Sequence, residues 1–106
     1  MSALIYCPFP NEEAARTIGQ ALLEERLIAC INIGGPIASL FVWNGERGES
    51  AECAALCKTQ AALLPAAIAR LETLHPYDAP AIFGWPCMSG QATQEWLMSS
   101  ISKPAE

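Results

Sequence analysis

The run Ile28-Ala29-Cys30-Ile31-Asn32-Ile33-Gly34-Gly35-Pro36-Ile37-Ala38-Ser39-Leu40-Phe41-Val42-Trp43, the pair Asn44-Gly45, and the run Glu49 to Thr59 beyond it decide the fold. Asn-Gly between two apolar arms is a strong hairpin signal, because both central residues of a type I′ turn need positive φ. Gly34-Gly35-Pro36 cannot pair regularly: proline has no N–H and glycine weakens a strand, so a bulge or bend is predicted there. Each arm far exceeds the usual strand of about five or six residues. A two-stranded ribbon of that length cannot bury its tip against its own domain, which points to another chain.

Composition agrees. The chain has 106 residues, and a single domain over residues 1–106 is expected. Of its residues 52% are apolar and only 16% charged, against about a quarter charged in ordinary domains. A small domain so balanced has too few polar residues to cover its surface, and a subunit interface is the simplest place to hide the excess. The net charge is −5, with lysines and arginines scattered singly, so nucleic acid is not an expected partner. No apolar run approaches a membrane span, and Met1-Ser2-Ala3 lacks a basic signal-peptide start. Five cysteines at irregular spacings read as reduced thiols of a cytoplasmic protein rather than as a disulfide framework.

From the N-terminus, Ala3 to Cys7 reads as a buried strand ended by Pro8 and Pro10. Asn11 is placed as an N-cap, with Glu12 and Glu13 in the first turn, where the helix dipole favours negative charge. Ala14, Ala15, Ile18, Ala21 and Leu22 mark one face of a helix ending near Arg26. After the hairpin, Leu64, Ile68, Leu71 and Leu74 form a second stripe. Pro65 belongs in its first turn and Pro76 stops it. Ala81 to Trp85 is a short strand closed by Pro86, and Thr93 to Ile101 a last helix with Trp96, Leu97 and Ile101 on its apolar face. The order β-α-β-β-α-β plus a terminal helix is an α+β, ferredoxin-like antiparallel sheet with two helices on one face.

Few residues suggest chemistry. Cys53 and Cys57 would be neighbours on a helix, but in a strand they stand about 13 Å apart, too far for a disulfide or a shared ion. Packed core thiols are the favoured reading for them and for Cys30. His75 is the single histidine, which excludes mechanisms needing two. It stands at a helix C-terminus, either capping the last carbonyls or forming part of a polar site. As a general base it would define a small hydrolase or isomerase, but no orienting acid is evident. No phosphate loop or nucleophile elbow occurs.

Ala29-Cys30-Ile31-Asn32, Ser39, Trp43-Asn44-Gly45, Lys58-Thr59 and His75-Pro76-Tyr77-Asp78-Ala79-Pro80 resemble the motifs of the CutA divalent-cation tolerance family, in order and over about residues 3 to 101. The resemblance implies a homotrimer built through sheet edges and long hairpins, without enzymatic activity, involved in tolerance to divalent metals such as copper. It implies an inter-subunit cleft for an ion or small ligand, drawing on Cys30, Asn32, Glu52, Lys58, His75, Tyr77 and Trp96, with Trp43 covered by a neighbouring chain. The similarity of that trimer to PII signalling proteins suggests an alternative, a sensor of an anionic metabolite contacted by Lys58. Three departures bear on metal. Ala81 stands where the family often has Glu, Ile5 where some members have a thiol, and the approach through Thr93-Gln94-Glu95 to Trp96 is one residue shorter. With those donors missing, weak Cu²⁺ binding is expected, dependent on His75 and Cys30.

Overall fold

In the computed structural model, residues 1–102 are described, so the last four residues of the expected domain lie outside the described residues. The elements are β1 (Ser2–Phe9), α1 (Glu12–Glu24), β2 (Cys30–Trp43), β3 (Glu46–Gln60), α2 (Leu64–Leu74, after a 3-10 turn at Ala61–Leu63), β4 (Phe83–Cys87) and α3 (Gln91–Ser100). The four strands form one antiparallel sheet in the order β2-β3-β1-β4. Each helical crossover therefore skips a strand, as the split β-α-β arrangement requires.

Local chemistry sets the boundaries. The Asn11 side chain accepts from the Ala14 amide at 2.8 Å and opens α1; such a cap is worth about 1 kcal/mol. Arg26 at φ 60° closes it, and the Leu27 amide turns back to the Leu22 carbonyl at 3.0 Å. Asn44 and Gly45 have φ of 51° and 80°, the two positive values a tight hairpin turn demands.

Two strand ends differ from the sequence expectation. β1 runs through Pro8 to Phe9, and β4 begins at Phe83 rather than Ala81 and continues through Pro86 to Cys87. The Pro8 carbonyl meets His75 rather than β3. Even-numbered residues of β1 therefore turn their backbone groups toward the β4 side, and β4 has already ended opposite Tyr6. Ala3, being odd, bonds toward β3, so its register partner Pro86 turns its nitrogen outward on an edge strand. Neither proline removes a ladder bond.

The helices α1 and α2 cover one face of the sheet, while α3 meets the end of β3 at Gln60. Ile5, Cys7 and Phe9 of β1, Cys53, Ala55 and Cys57 of β3, Leu22 of α1 and Leu71 of α2 form the core. Fully burying a side chain of leucine or phenylalanine size contributes about 1.5–3 kcal/mol. Thr59 is completely buried, and its hydroxyl donates to the Leu27 carbonyl at 2.7 Å. Burial pushes the thiols of Cys7 and Cys57 up to about 12, so they stay protonated.

The opposite face is bare except at the end where Ser2 and Gln60 are buried and α3 meets Gln60. Across it run the rows Cys30, Lys58, Leu4, Trp85 and Asn32, Leu56, Tyr6, Phe83. At the predicted break, β2 takes three steps from Ile33 to Pro36 while β3 takes two from Ala55 to Cys53, a one-residue bulge. The Cys53 thiol donates to the Gly34 carbonyl at 3.1 Å and pins it. Since side chains alternate faces, one extra residue reverses their parity. Ile33 faces the helices, yet Ile37, Ser39, Phe41 and Trp43 come to the bare face. Beyond the bulge, β3 from Glu46 to Glu52 pairs only with β2. This two-stranded arm draws the molecule out to 44 × 28 × 24 Å.

Candidate functional site

Pro76 determines where the site lies. It forces His75 out of the helical region, to φ −67° and ψ 138°, while the His75 amide still closes α2 on the Leu71 carbonyl at 2.9 Å. The imidazole thereby swings away from the helix end toward β1. Its Nε2 lies 2.8 Å from the Pro8 carbonyl, and the Tyr77 amide donates to its Nδ1 at 3.2 Å. A carbonyl only accepts and an amide only donates, so the neutral Nε2–H tautomer is the one that satisfies both. The ring is 6% exposed and stacks on Phe9 with centroids 4.9 Å apart and planes 17° apart. Capping of helix carbonyls, one of the two sequence readings, is not what this ring does: it substitutes for a strand partner beyond the end of β4.

The chain then wraps around the exposed edge of β1 onto the bare face. The Tyr77 hydroxyl donates to Glu52 Oε2 at 2.8 Å. Partial burial, together with the Glu52 carboxylate, pushes that hydroxyl up to about 12, so it remains a donor throughout the neutral range. Between this loop and the arm lies a groove of about 800 Å³. Phe41, Trp43, Glu52, Tyr77, Asp78 and Ala81 are among its walls. Phe41 lies over Gly48, where an added Cβ would come within 2.4 Å of the ring.

Of the residues singled out from sequence, the structure brings Glu52, Tyr77 and His75 together, with Trp43 on the far wall. Cys30, Asn32 and Lys58 sit elsewhere on the bare face. Cys30 is the register partner of Lys58 in the row of Leu4, four residues, or about 13 Å, from Pro8 along β1. The sheet itself stands between that row and the buried ring of His75, so one chain does not bring His75 and Cys30 together. Trp96 belongs to α3, which meets the opposite end of β3, where the side-chain amides of Gln94 and Gln60 approach to 3.1 Å. Lys58 has no Lys, Arg or His among its register partners.

Sequence reading missed Phe41, Asp78, Phe9 and the Pro8 carbonyl. Phe41 had a signal: counting parity across a one-residue bulge puts it opposite Gly48 and on the same face as Ser39, Trp43, Ser50 and Glu52. The contact between His75 and Pro8 spans 67 positions and left no local trace.

The donor set bears on metal. Both His75 nitrogens are engaged, one Glu52 oxygen accepts a hydrogen bond from the Tyr77 hydroxyl, and Cys7, Cys53 and Cys57 are buried. Among the described residues no three His, Cys, Asp or Glu side chains converge on a common point. A tight transition-metal centre needs three or four donors at about 2.0–2.3 Å, so the residues of one chain do not fit one.

The family model described as "CutA1 divalent ion tolerance protein" matches residues 3–100. The divalent-cation tolerance protein CutA of Thermus thermophilus is 40% identical over 98 residues, 92% of this chain and 95% of that protein. The protein of the same description from Thermotoga maritima is 48% identical over 80 residues, covering 76% and 78%. The chain spans about half the length of the mouse and human relatives, which cover 84% of it. Among solved structures, the periplasmic divalent cation tolerance protein CutA of Archaeoglobus fulgidus superposes with a TM-score of 0.90 at 31% identity, over 96% of this chain and 100% of that one.

Proposed function

This chain belongs to the CutA1 divalent ion tolerance family, and on that premise we propose that it is a homotrimeric, non-enzymatic protein of divalent-metal tolerance whose ligand site is the groove between the arm and the loop of residues 75–80. The family is named for tolerance and not for a reaction. The observation that carries the trimer is the bare sheet face, on which Phe83, Trp85, Phe41 and Trp43 are 63%, 41%, 43% and 51% exposed. Aromatic surface of that extent on a small chain is the kind that neighbouring subunits cover. Trp43, at the end of the arm, is the anchor we assign to the neighbour, and the groove then becomes a cleft between subunits.

A non-enzymatic role is supported by the state of His75, whose nitrogens are both committed to backbone partners. Metal binding follows the same geometry. Copper should be preferred over other divalent ions, as the Irving–Williams order dictates, but held weakly unless symmetry brings copies of one donor together. We place the protein in the cytoplasm, a reading supported by its five free thiols.

Light scattering at micromolar concentration tests the assembly: three times the chain mass is expected, and a stable monomer overturns it. Calorimetric titration of the reduced, metal-free protein with Cu²⁺ tests the site. Weak binding is expected, and sub-nanomolar affinity would mean that the assembled protein builds a donor set this reading does not contain. Separate titrations of His75→Ala and Cys30→Ala tell which residue, if either, supplies donors.

A further inference from the structure

The loop that follows α2 is tied down at a single residue. Among the described residues, residues 76–80 make two hydrogen bonds, both from Tyr77. Its amide donates to His75 Nδ1 at 3.2 Å, and its hydroxyl donates to Glu52 Oε2 at 2.8 Å. Pro76 and Pro80 have no N–H to add. The rings of His75 and Tyr77 touch at a tilt, with centroids 4.7 Å apart. One of the two acceptors is a buried imidazole, whose ability to accept depends on its protonation state.

The ring is held on both sides, and a proton taken from solvent acts on the two sides differently. Nε2–H goes on donating to the Pro8 carbonyl, more strongly from an imidazolium than from a neutral ring. Nδ1, once it carries a hydrogen, faces the Tyr77 N–H donor to donor, and that bond is lost. Beyond Tyr77, the titratable groups on the surrounding elements are Cys7 of β1, Cys53 and Glu52 of β3, Asp78 of the loop, and Arg70 and Glu72 of α2. None of them forms an ion pair with the imidazole among the described residues. Cys7 stays protonated and uncharged, Glu52 is engaged by Tyr77, and Arg70 by Glu25. With both nitrogens committed inside the chain, the ring is placed as a fastening and not as a metal ligand.

We propose that His75 and Tyr77 form an acid-sensitive latch, in which protonation of His75 at Nδ1 releases the Tyr77 amide and frees the loop of residues 76–80 from its anchor on β1. The closed latch needs an unprotonated Nδ1, so it holds at neutral pH and opens as pH falls. That opening regulates the ligand site rests on the reading of the groove given above, since Pro76, Tyr77, Asp78 and Ala79 are among its walls. The latch itself needs no ligand.

The test uses the full chain, without metal, followed by nuclear magnetic resonance from about pH 8 to about pH 5. Imidazole ¹⁵N signals report the tautomer and its protonation, and amide hydrogen exchange, corrected for the intrinsic rate, reports the latch. Protection of the Tyr77 amide should fall about fivefold or more as the ring takes up its proton, while the Ile5 amide in the body stays protected. His75→Asn, which offers a short side-chain carbonyl to the same amide and does not titrate, should keep Tyr77 protected at both ends of the range. Glu52→Gln, which removes the other titratable acceptor, should leave the pH dependence in place. A protonated ring with Tyr77 still protected overturns the proposal, and this holds even where His75→Asn does not fold. PH dependence that survives His75→Asn, or disappears in Glu52→Gln, overturns it as well. Because nothing is bound in these measurements, their failure leaves the groove reading standing, and failure of the Cu²⁺ titration leaves the latch standing.

Discussion

The body of the molecule and its arm are built from the same two strands, yet they obey different rules. In the body, β3 from Cys53 to Gln60 lies between β1 and β2 and beneath the helices, and its alternate residues are buried. Seven residues earlier the same strand has one neighbour and no helix above it, and Leu40 and Val42 opposite it are 77% and 70% exposed. The body carries its own hydrophobic core, whereas the arm is held by a ladder and a turn. Two-stranded ribbons are marginal in water by themselves, so the arm depends on the body at one end and, under our proposal, on a neighbour at the other.

The largest effect that would break this division is in the core. Leu71→Ala should destabilise the protein by about 2–5 kcal/mol, because Leu71 is wholly buried and its loss leaves a cavity. Chemical denaturation measures it, and a loss below about 1 kcal/mol would mean that the body is less self-sufficient than its packing implies. Thr59→Val comes next, at about 1–3 kcal/mol, since it leaves the Leu27 carbonyl without its buried donor. Thermal unfolding of that variant beside Thr59→Ser, which keeps the hydroxyl, separates the hydrogen bond from the packing.

Alkaline pH sharpens the same contrast without mutation. Burial in the body holds Cys7 and Cys57 protonated to about 12, against 9.0 for an ordinary thiol. The folded state binds these protons more tightly than the unfolded chain. Their contribution is therefore complete below 9.0 and is lost as pH rises from there toward about 12. Melting temperature should fall across that window, and Cys57→Ala should flatten the fall even if it lowers stability at neutral pH. A profile unchanged in the variant would remove the buried thiol as its cause.

The smallest effect belongs to the arm. Gly45→Ala places a Cβ at φ 80° and should cost about 1 kcal/mol locally. Amide hydrogen exchange should accelerate from Leu40 to Glu49 while the protection of β1 is unchanged. Equal acceleration in both would show that arm and body unfold together.

Legibility in the sequence divides along similar lines. The turn at Asn44-Gly45, the break at Gly34-Gly35-Pro36, the Asn11 cap and the stop at Pro76 are local, each fixed by a backbone constraint within a few residues, and each was readable. Pro8 and Pro86 were misread as strand ends because the proline rule concerns an N–H that a ladder needs, and position in the sheet decides whether it does. The site was half legible. Glu52, His75 and Tyr77 were marked by the family motif, but only the fold puts the Pro8 carbonyl under His75 and brings Glu52 within reach of Tyr77.

The bulge between Ile33 and Pro36 works as a reading frame written in three dimensions. The side that each residue distal to it takes, with Ser39, Phe41 and Trp43 on the bare face and Leu40 and Val42 on the other, is set by a count of one residue. Deleting Gly35, whose position leaves open space around it, would leave the composition of the arm intact and send those side chains to the wrong side. Substitutions in the arm are local edits by comparison, and selection on this protein should tolerate many of them while holding the length of the Ile33–Pro36 link constant.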